Sequence, residues 1–270
     1  MIILKRMVVI ITAFVLIFVC ASYVKFLEFK KHQNMRKFFN IVLIGAAGSG
    51  KGTQGEIIKE HMHLLPISAG DVLRQYRSNP DAKYTKIINR YIDKGQLVPT
   101  EITNNLMAEY IQKNVFCPGC EHKGIIFDGF PRQMEQLEFL DKFLKMNNNQ
   151  IDAVVYIDVP VEALVERLSG RFSCATCGTL YHKKHKPTKV NGVCDQCGGT
   201  QFKTRSDDQD IDAIRTRFKI FEDTTKPVLN NYKERGLVLS VNGNMGPKEI
   251  SDGLLPRLDE IYKIKTTEQS

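Results

Sequence analysis

Lys51 lies in the stretch GAAGSGKGTQ (residues 45–54), where Gly45, Gly48, Gly50 and Lys51 keep the spacing G-x-x-x-x-G-K. Glycines there let backbone N–H groups curl around phosphate oxygens, and the lysine neutralises them. The chemistry indicated is capture of a nucleotide's phosphates. The next position, where such loops carry Ser or Thr for Mg²⁺, holds Gly52, and the hydroxyl arrives at Thr53.

A second set of chemical residues is Cys174-x-x-Cys177 and, sixteen residues on, Cys194-x-x-Cys197. The spacing is that of a zinc ribbon. Gly178 and Gly198 follow the pairs and can take the positive φ of a tight knuckle. Four thiolates close a tetrahedral Zn²⁺ site with no open position, so its role would be structural. Two disulfides or four inert thiols are the alternatives, and a phosphate loop implies a reducing compartment where disulfides are rare. Cys117-Pro-Gly-Cys120, with His122 nearby, reads as an inert loop, and Cys20 lies in an apolar tail.

The third set is cationic: Arg74, Arg132, Arg167, Arg171, Arg205 and Arg217 flank turns rich in Gly and Asp. Phosphoryl transfer must neutralise the donor phosphates, the migrating group and the acceptor phosphate, and the planar arginine fork binds such oxygens in pairs.

These residues need a scaffold. Strand-like runs FNIVLI (39–44), GIIFD (124–128), AVVYID (153–158) and LVLSV (237–241) alternate with helical segments at 56–62, 67–79, 81–94 and 100–114. Asp71 favours the N-terminal end of the second segment, and Thr100 would cap the last. Short apolar strands alternating with helices imply an α/β fold with a parallel sheet covered on both faces. Ligands collect beyond the carboxyl ends of such strands, where GAAGSGKGT, DGFPR and IDVP fall.

The 270-residue chain carries a net charge of +8, but residues 1–37 hold seven Lys/Arg against Glu28 alone, which leaves +2 for residues 38–270. A near-neutral globular part argues against the rival reading, a zinc-ribbon nucleic-acid binder. Residues 7–24 are almost wholly apolar and just long enough to span a bilayer. They are either a membrane anchor, with the basic residues 25–37 keeping the following domain in the cytoplasm, or the product of a start upstream of the true one, Met35. Residues 35–270 should suffice for a soluble, active unit.

GAAGSGKGTQ, ISAGDVLR, GQLVP, DGFPRQMEQ, ERLSGR, TRSDD and IRTRF resemble, in order and spacing, the adenylate kinase family in its long form with a zinc-binding lid. The resemblance covers about residues 38–263. It implies a P-loop kinase core (38–67, 99–171 and 209–270), a helical AMP-binding insertion (68–98), a zinc-ribbon-like lid (172–208) and an N-terminal tail (1–37). The implied reaction is reversible, Mg²⁺-dependent transfer of the terminal phosphate of ATP to AMP, giving two ADP, in a cytoplasmic monomer. The near alternatives are GTP as donor, or UMP or CMP as acceptor.

Laid on matching positions, the resemblance gives Gly48, Ser49, Gly50, Lys51, Gly52 and Thr53 to the ATP phosphates, with Thr53 near Mg²⁺ and Asp128 ordering the metal's water shell. Arg74, Gln96, Leu97, Val98, Gly129, Phe130, Pro131, Arg132 and Gln136 would form the AMP side. Arg167 and Arg171 would grip ATP and the migrating phosphoryl, with Arg205 and Arg217 closing from the far side. Leu180 and Tyr181 would cover the ATP base, and the backbone carbonyl of Met245 would touch ATP. Two departures stand out: Ala69 replaces a threonine that would touch AMP, and the stretch 205–217 is one residue longer than usual.

Overall fold

A computed structural model describes residues 38–116, 121–205, 208 and 210–267. The apolar segment 7–24, the basic segment up to residue 37 and the 117–120 pair lie outside the described residues.

The core sheet contains five parallel strands, β1 (Phe39–Ile44), β2 (Leu65–Ser68), β3 (Gly124–Asp128), β4 (Ala153–Asp158) and β8 (Val238–Asn242), in the order β2-β3-β1-β4-β8. All six β1 residues are buried because alternate side chains enter opposite cores. Val42 and Ile44 join one apolar cluster, and Phe39, Ile41 and Leu43 the other.

Helices α1 (Lys51–Met62), α6 (Val161–Ser169) and α9 (Pro247–Thr267) cover the second cluster through Ile58, Leu164, Leu254 and Leu258. The first is covered by α2 (Ala69–Arg77), α3 (Thr85–Ile92), α4 (Thr100–Asn114), α5 (Met134–Met146) and α8 (Lys226–Glu234). A π-helical turn at Phe221–Thr225 joins α7 (Ile211–Ile220) to α8. A second sheet, antiparallel, takes β5 (Arg171–Cys174), β6 (Leu180–His182) and β7 (Phe202–Lys203) in the order β6-β5-β7.

The expected strands and most helices are present, with four differences. Strand β2 was not anticipated: four residues containing a proline give no period, and Pro66 is tolerated because β2 is an edge strand. The segment expected over 81–94 is helical only at Thr85–Ile92, since the Asn79 side chain accepts the Asp81 N–H and holds a turn ahead of it. Thr100 does not cap α4; it is the first helical residue, and its hydroxyl donates to Gln133 Oε1 at 2.8 Å. Strand β8 begins at Val238, one residue later than expected.

The chain enters at the end of the sheet opposite the glycine loop and is tied down at once. Phe38 N–H donates to Asn149 Oδ1 at 2.7 Å, and the Lys265 ammonium bridges the Phe38 carbonyl and buried Asp152. No helix among the described residues is long and apolar enough to cross a membrane.

Candidate functional site

The loop between β1 and α1 brings its amides to the carboxyl end of the central strand. Gly48 (φ 87°) and Gly50 (φ 101°) adopt left-handed conformations that a side chain would strain, and Gly50 forms the N-cap of α1. The helix thus starts at Lys51, earlier than its apolar period implied, with its first N–H groups and dipole aimed into the loop. The Lys51 ammonium folds back to donate to the Gly45 carbonyl at 2.8 Å and the Ala46 carbonyl at 2.9 Å.

The charges of three arginines act on that ammonium. Burial foremost pushes Lys51 down to about 8; Asp128 opposes the shift, while Arg132, Arg217 and Arg171 add to it. Asp128 ends β3 and pairs in register with Leu43 of β1 and Ser68 of β2, so the sheet itself sets it beside the loop. Arg132 lies past the turn Gly129-Phe130-Pro131, with its Nε donating to the Gly129 carbonyl at 2.9 Å.

Two carboxylates hold four of the site's arginines, a role that the motif spacing does not show for either. Asp208, only 4 % exposed, receives Arg171 through Nε at 2.7 Å and Nη2 at 2.6 Å, and Arg217 through Nη1 at 2.7 Å. Asp71 receives Arg74 at 2.6 Å and Arg205 at 3.4 Å. Burial pushes the Asp71 carboxyl up, but Arg74 and Arg205 outweigh it and hold it below the usual carboxylate range. Burial first, then Arg171 and Arg74, press Arg205 down to about 10, which leaves it charged at neutral pH. TRSDD was the available signal for Asp208, but only folding shows which aspartate meets both arginines.

The other expected site residues divide. Thr53 is half-buried in the first turn of α1, Arg167 is half-buried in the last turn of α6, and Met245 is half-buried in the turn after β8. Gln96, Leu97 and Val98 run from exposed to buried in the loop entering α4, beside α7: a side chain at Gly95 would meet the Ala213 carbonyl at 2.5 Å. Gln136 is buried and its Oε1 already accepts the Arg132 N–H at 2.8 Å, so only its amide nitrogen could reach a base edge. Ala69 is buried in the first turn of α2, presenting a methyl group.

Leu180 and Tyr181 separate. A Cβ at Gly52 would lie 2.9 Å from Leu180 Cδ1, so the lid strand covers the loop where a hydroxyl residue is ordinarily expected. Strand alternation turns the Tyr181 side chain the other way, into the lid, where it is 2 % exposed, so of the two it is Leu180 that faces the loop.

In the lid, Cys174, Cys177, Cys194 and Cys197 are free thiols whose sulfurs all lie within 4.8 Å of one another. The Cys174–Cys197 and Cys177–Cys194 sulfurs are 3.6 Å and 3.5 Å apart. A tetrahedral site with Zn–S bonds of about 2.3 Å has sulfur separations of about 3.8 Å, whereas a disulfide needs about 2.05 Å. The four residues therefore fit a metal ion. Gly178 and Gly198 take the expected positive φ, 77° and 71°.

Comparison with known proteins agrees with this geometry. The family model described as adenylate kinase matches residues 43–237. Similar curated proteins named adenylate kinase come from Enterococcus faecalis (42 % identical over 205 residues, 76 % of this chain and 92 % of the relative) and Streptococcus thermophilus (40 % over 205 residues, 76 % and 91 %). One from Archaeoglobus fulgidus is 38 % identical over 228 residues, covering 84 % of this chain and all of the relative.

Proposed function

The chain belongs to the adenylate kinase family and transfers phosphate between ATP and AMP, and from that premise we propose how its residues divide the work. The observation that carries the assignment is the glycine loop and Lys51 at the carboxyl end of β1, with the charges of Arg132, Arg171 and Arg217 all acting on the lysine, a cationic site suited to several phosphates at once.

The loop amides from Gly48 to Thr53 bind the ATP phosphates, and Lys51 exchanges its loop carbonyls for the transferred group. Thr53 would stand near the Mg²⁺ that accompanies ATP, with Asp128 ordering its water shell, and the metal would screen the phosphate charge. Arg74, the Gln96-Leu97-Val98 segment, Gly129 to Arg132 and the Gln136 amide seat AMP. As an AMP phosphate oxygen bonds to the terminal phosphorus, the bond to the bridging oxygen of ATP breaks, and Arg167, Arg171, Arg205 and Arg217 neutralise the migrating group. No side chain acts as nucleophile; orientation and electrostatics supply the rate. Leu180 seals the loop, and Met245 touches ATP through its carbonyl.

Segments 68–98 and 172–208 close over AMP and ATP to exclude water. The four cysteines hold one structural Zn²⁺. The catalytic unit works as a cytoplasmic monomer. A coupled assay across four donors and four acceptors should show ATP and AMP as the preferred pair. Lys51→Met should lose on the order of 10³-fold or more in kcat/KM with an unchanged melting curve. Near-normal turnover in that variant would refute the assignment.

A further inference from the structure

Strand β6 faces two ways: Leu180 lies against the phosphate loop at Gly52, and Tyr181 enters the lid. The Tyr181 ring stacks on Phe172 (centroids 5.5 Å) and meets Phe202 edge-on (5.8 Å). Its hydroxyl reaches the second cysteine knuckle twice. It accepts the Asp195 N–H at 2.7 Å and lies 3.3 Å from Cys194 Sγ. A phenol has one proton to give, and an oxygen already accepting a backbone N–H directs that proton to its remaining polar neighbour. Among the described residues that neighbour is the Cys194 sulfur.

We propose that Tyr181 is a positioning residue for the lid metal: its O–H donates to the metal-bound sulfur of Cys194 and ties the second knuckle to the strand that covers the nucleotide loop. The proposal rests on the zinc reading above. Outer-shell donors orient metal ligands, and losing one typically lowers metal affinity 10–100-fold. Cys177, in the first knuckle, has a separate hydroxyl neighbour, Thr179 Oγ1 at 3.0 Å, so the two knuckles can be tested apart.

The experiment uses the full chain, as wild type, Tyr181→Phe and Thr179→Val. Metal analysis of the wild type comes first, and finding no zinc overturns the zinc reading and this proposal together. With zinc present, release to a chromogenic chelator and the sulfur-to-cobalt absorption of the Co²⁺-loaded protein are compared. Tyr181→Phe keeps the ring packing and should bind zinc 10–100-fold more weakly, with a shifted cobalt band and faster exchange of the Asp195 amide. Thr179→Val should leave the Asp195 amide unchanged. If zinc affinity and the cobalt spectrum of Tyr181→Phe match the wild type, this inference fails while the zinc reading stands. A Tyr181→Phe lid that stays unfolded at saturating zinc would show a packing role and also overturn it.

Discussion

Around Lys51 the chain buries an apolar cluster on each face of a five-stranded sheet, whereas among the described residues the lid's apolar cluster is small, Cys174, Tyr181 and Cys194 with Phe172 and Phe202 packed against them. The core can therefore hold Lys51, Arg132 and Arg217 near one another without a ligand, because its scaffold is held independently of the charges, while Arg171 reaches the same lysine from the lid sheet. The lid has little apolar surface of its own, so on the proposal that its four cysteines bind zinc, the metal would supply what burial does not. A segment whose order comes from a few ligand bonds can move as a unit, which suits a cover that opens and closes.

Removing Asp208 should break the comparison most sharply, because it is the charge that joins the two regions: Arg171 belongs to β5 and Arg217 to α7. Asp208→Asn keeps the shape but takes away the counter-charge of two largely buried arginines, and disrupting a buried pair costs about 3–5 kcal/mol. Two outcomes are expected: kcat/KM lower by on the order of 10²-fold, and a melting temperature lower by about 5–10 °C without ligand. ATP should restore more of that temperature than it adds to the wild type, since its phosphates replace the lost carboxylate.

A smaller effect isolates the core. Lys51 in the free enzyme sits near 8, below its ordinary value, so its charge is present at neutral pH and lost as pH rises through about 8. The profile of kcat/KM for ATP, which reports the free enzyme, should be flat from pH 6 to 7.5 and fall above 8. Lys51→Arg, whatever its absolute rate, should lack that fall. The smallest effect belongs to the tail. Deleting residues 1–34 should leave kcat and melting temperature unchanged, because Phe38 is itself held to the core by Asn149 and Lys265 and β1 follows directly.

This ranking follows what the sequence made legible. The glycine loop, the strand ends and the four cysteines could be read because each uses local spacing, and the structure returns the same spacing as geometry. Asp208 and Asp71 could not be read as bridges, because Asp208 meets Arg171 across 37 positions and Asp71 meets Arg205 across 134. The opposite orientations of Leu180 and Tyr181 depend on the register of β6 against β5, which three residues of sequence do not determine. Strand β2 escaped for a similar reason, since its pairing with β3, not its composition, makes it a strand.

The contrast between a self-supporting core and a metal-supported lid is tested most directly by hydrogen exchange before and after zinc is removed with a chelator. Amides of β5 and β6 should lose their protection on chelation and regain it when zinc is restored, while those of β1, β3 and β4 stay protected throughout. A lid that keeps its protection without metal, or a core that loses its own along with the lid, would contradict it.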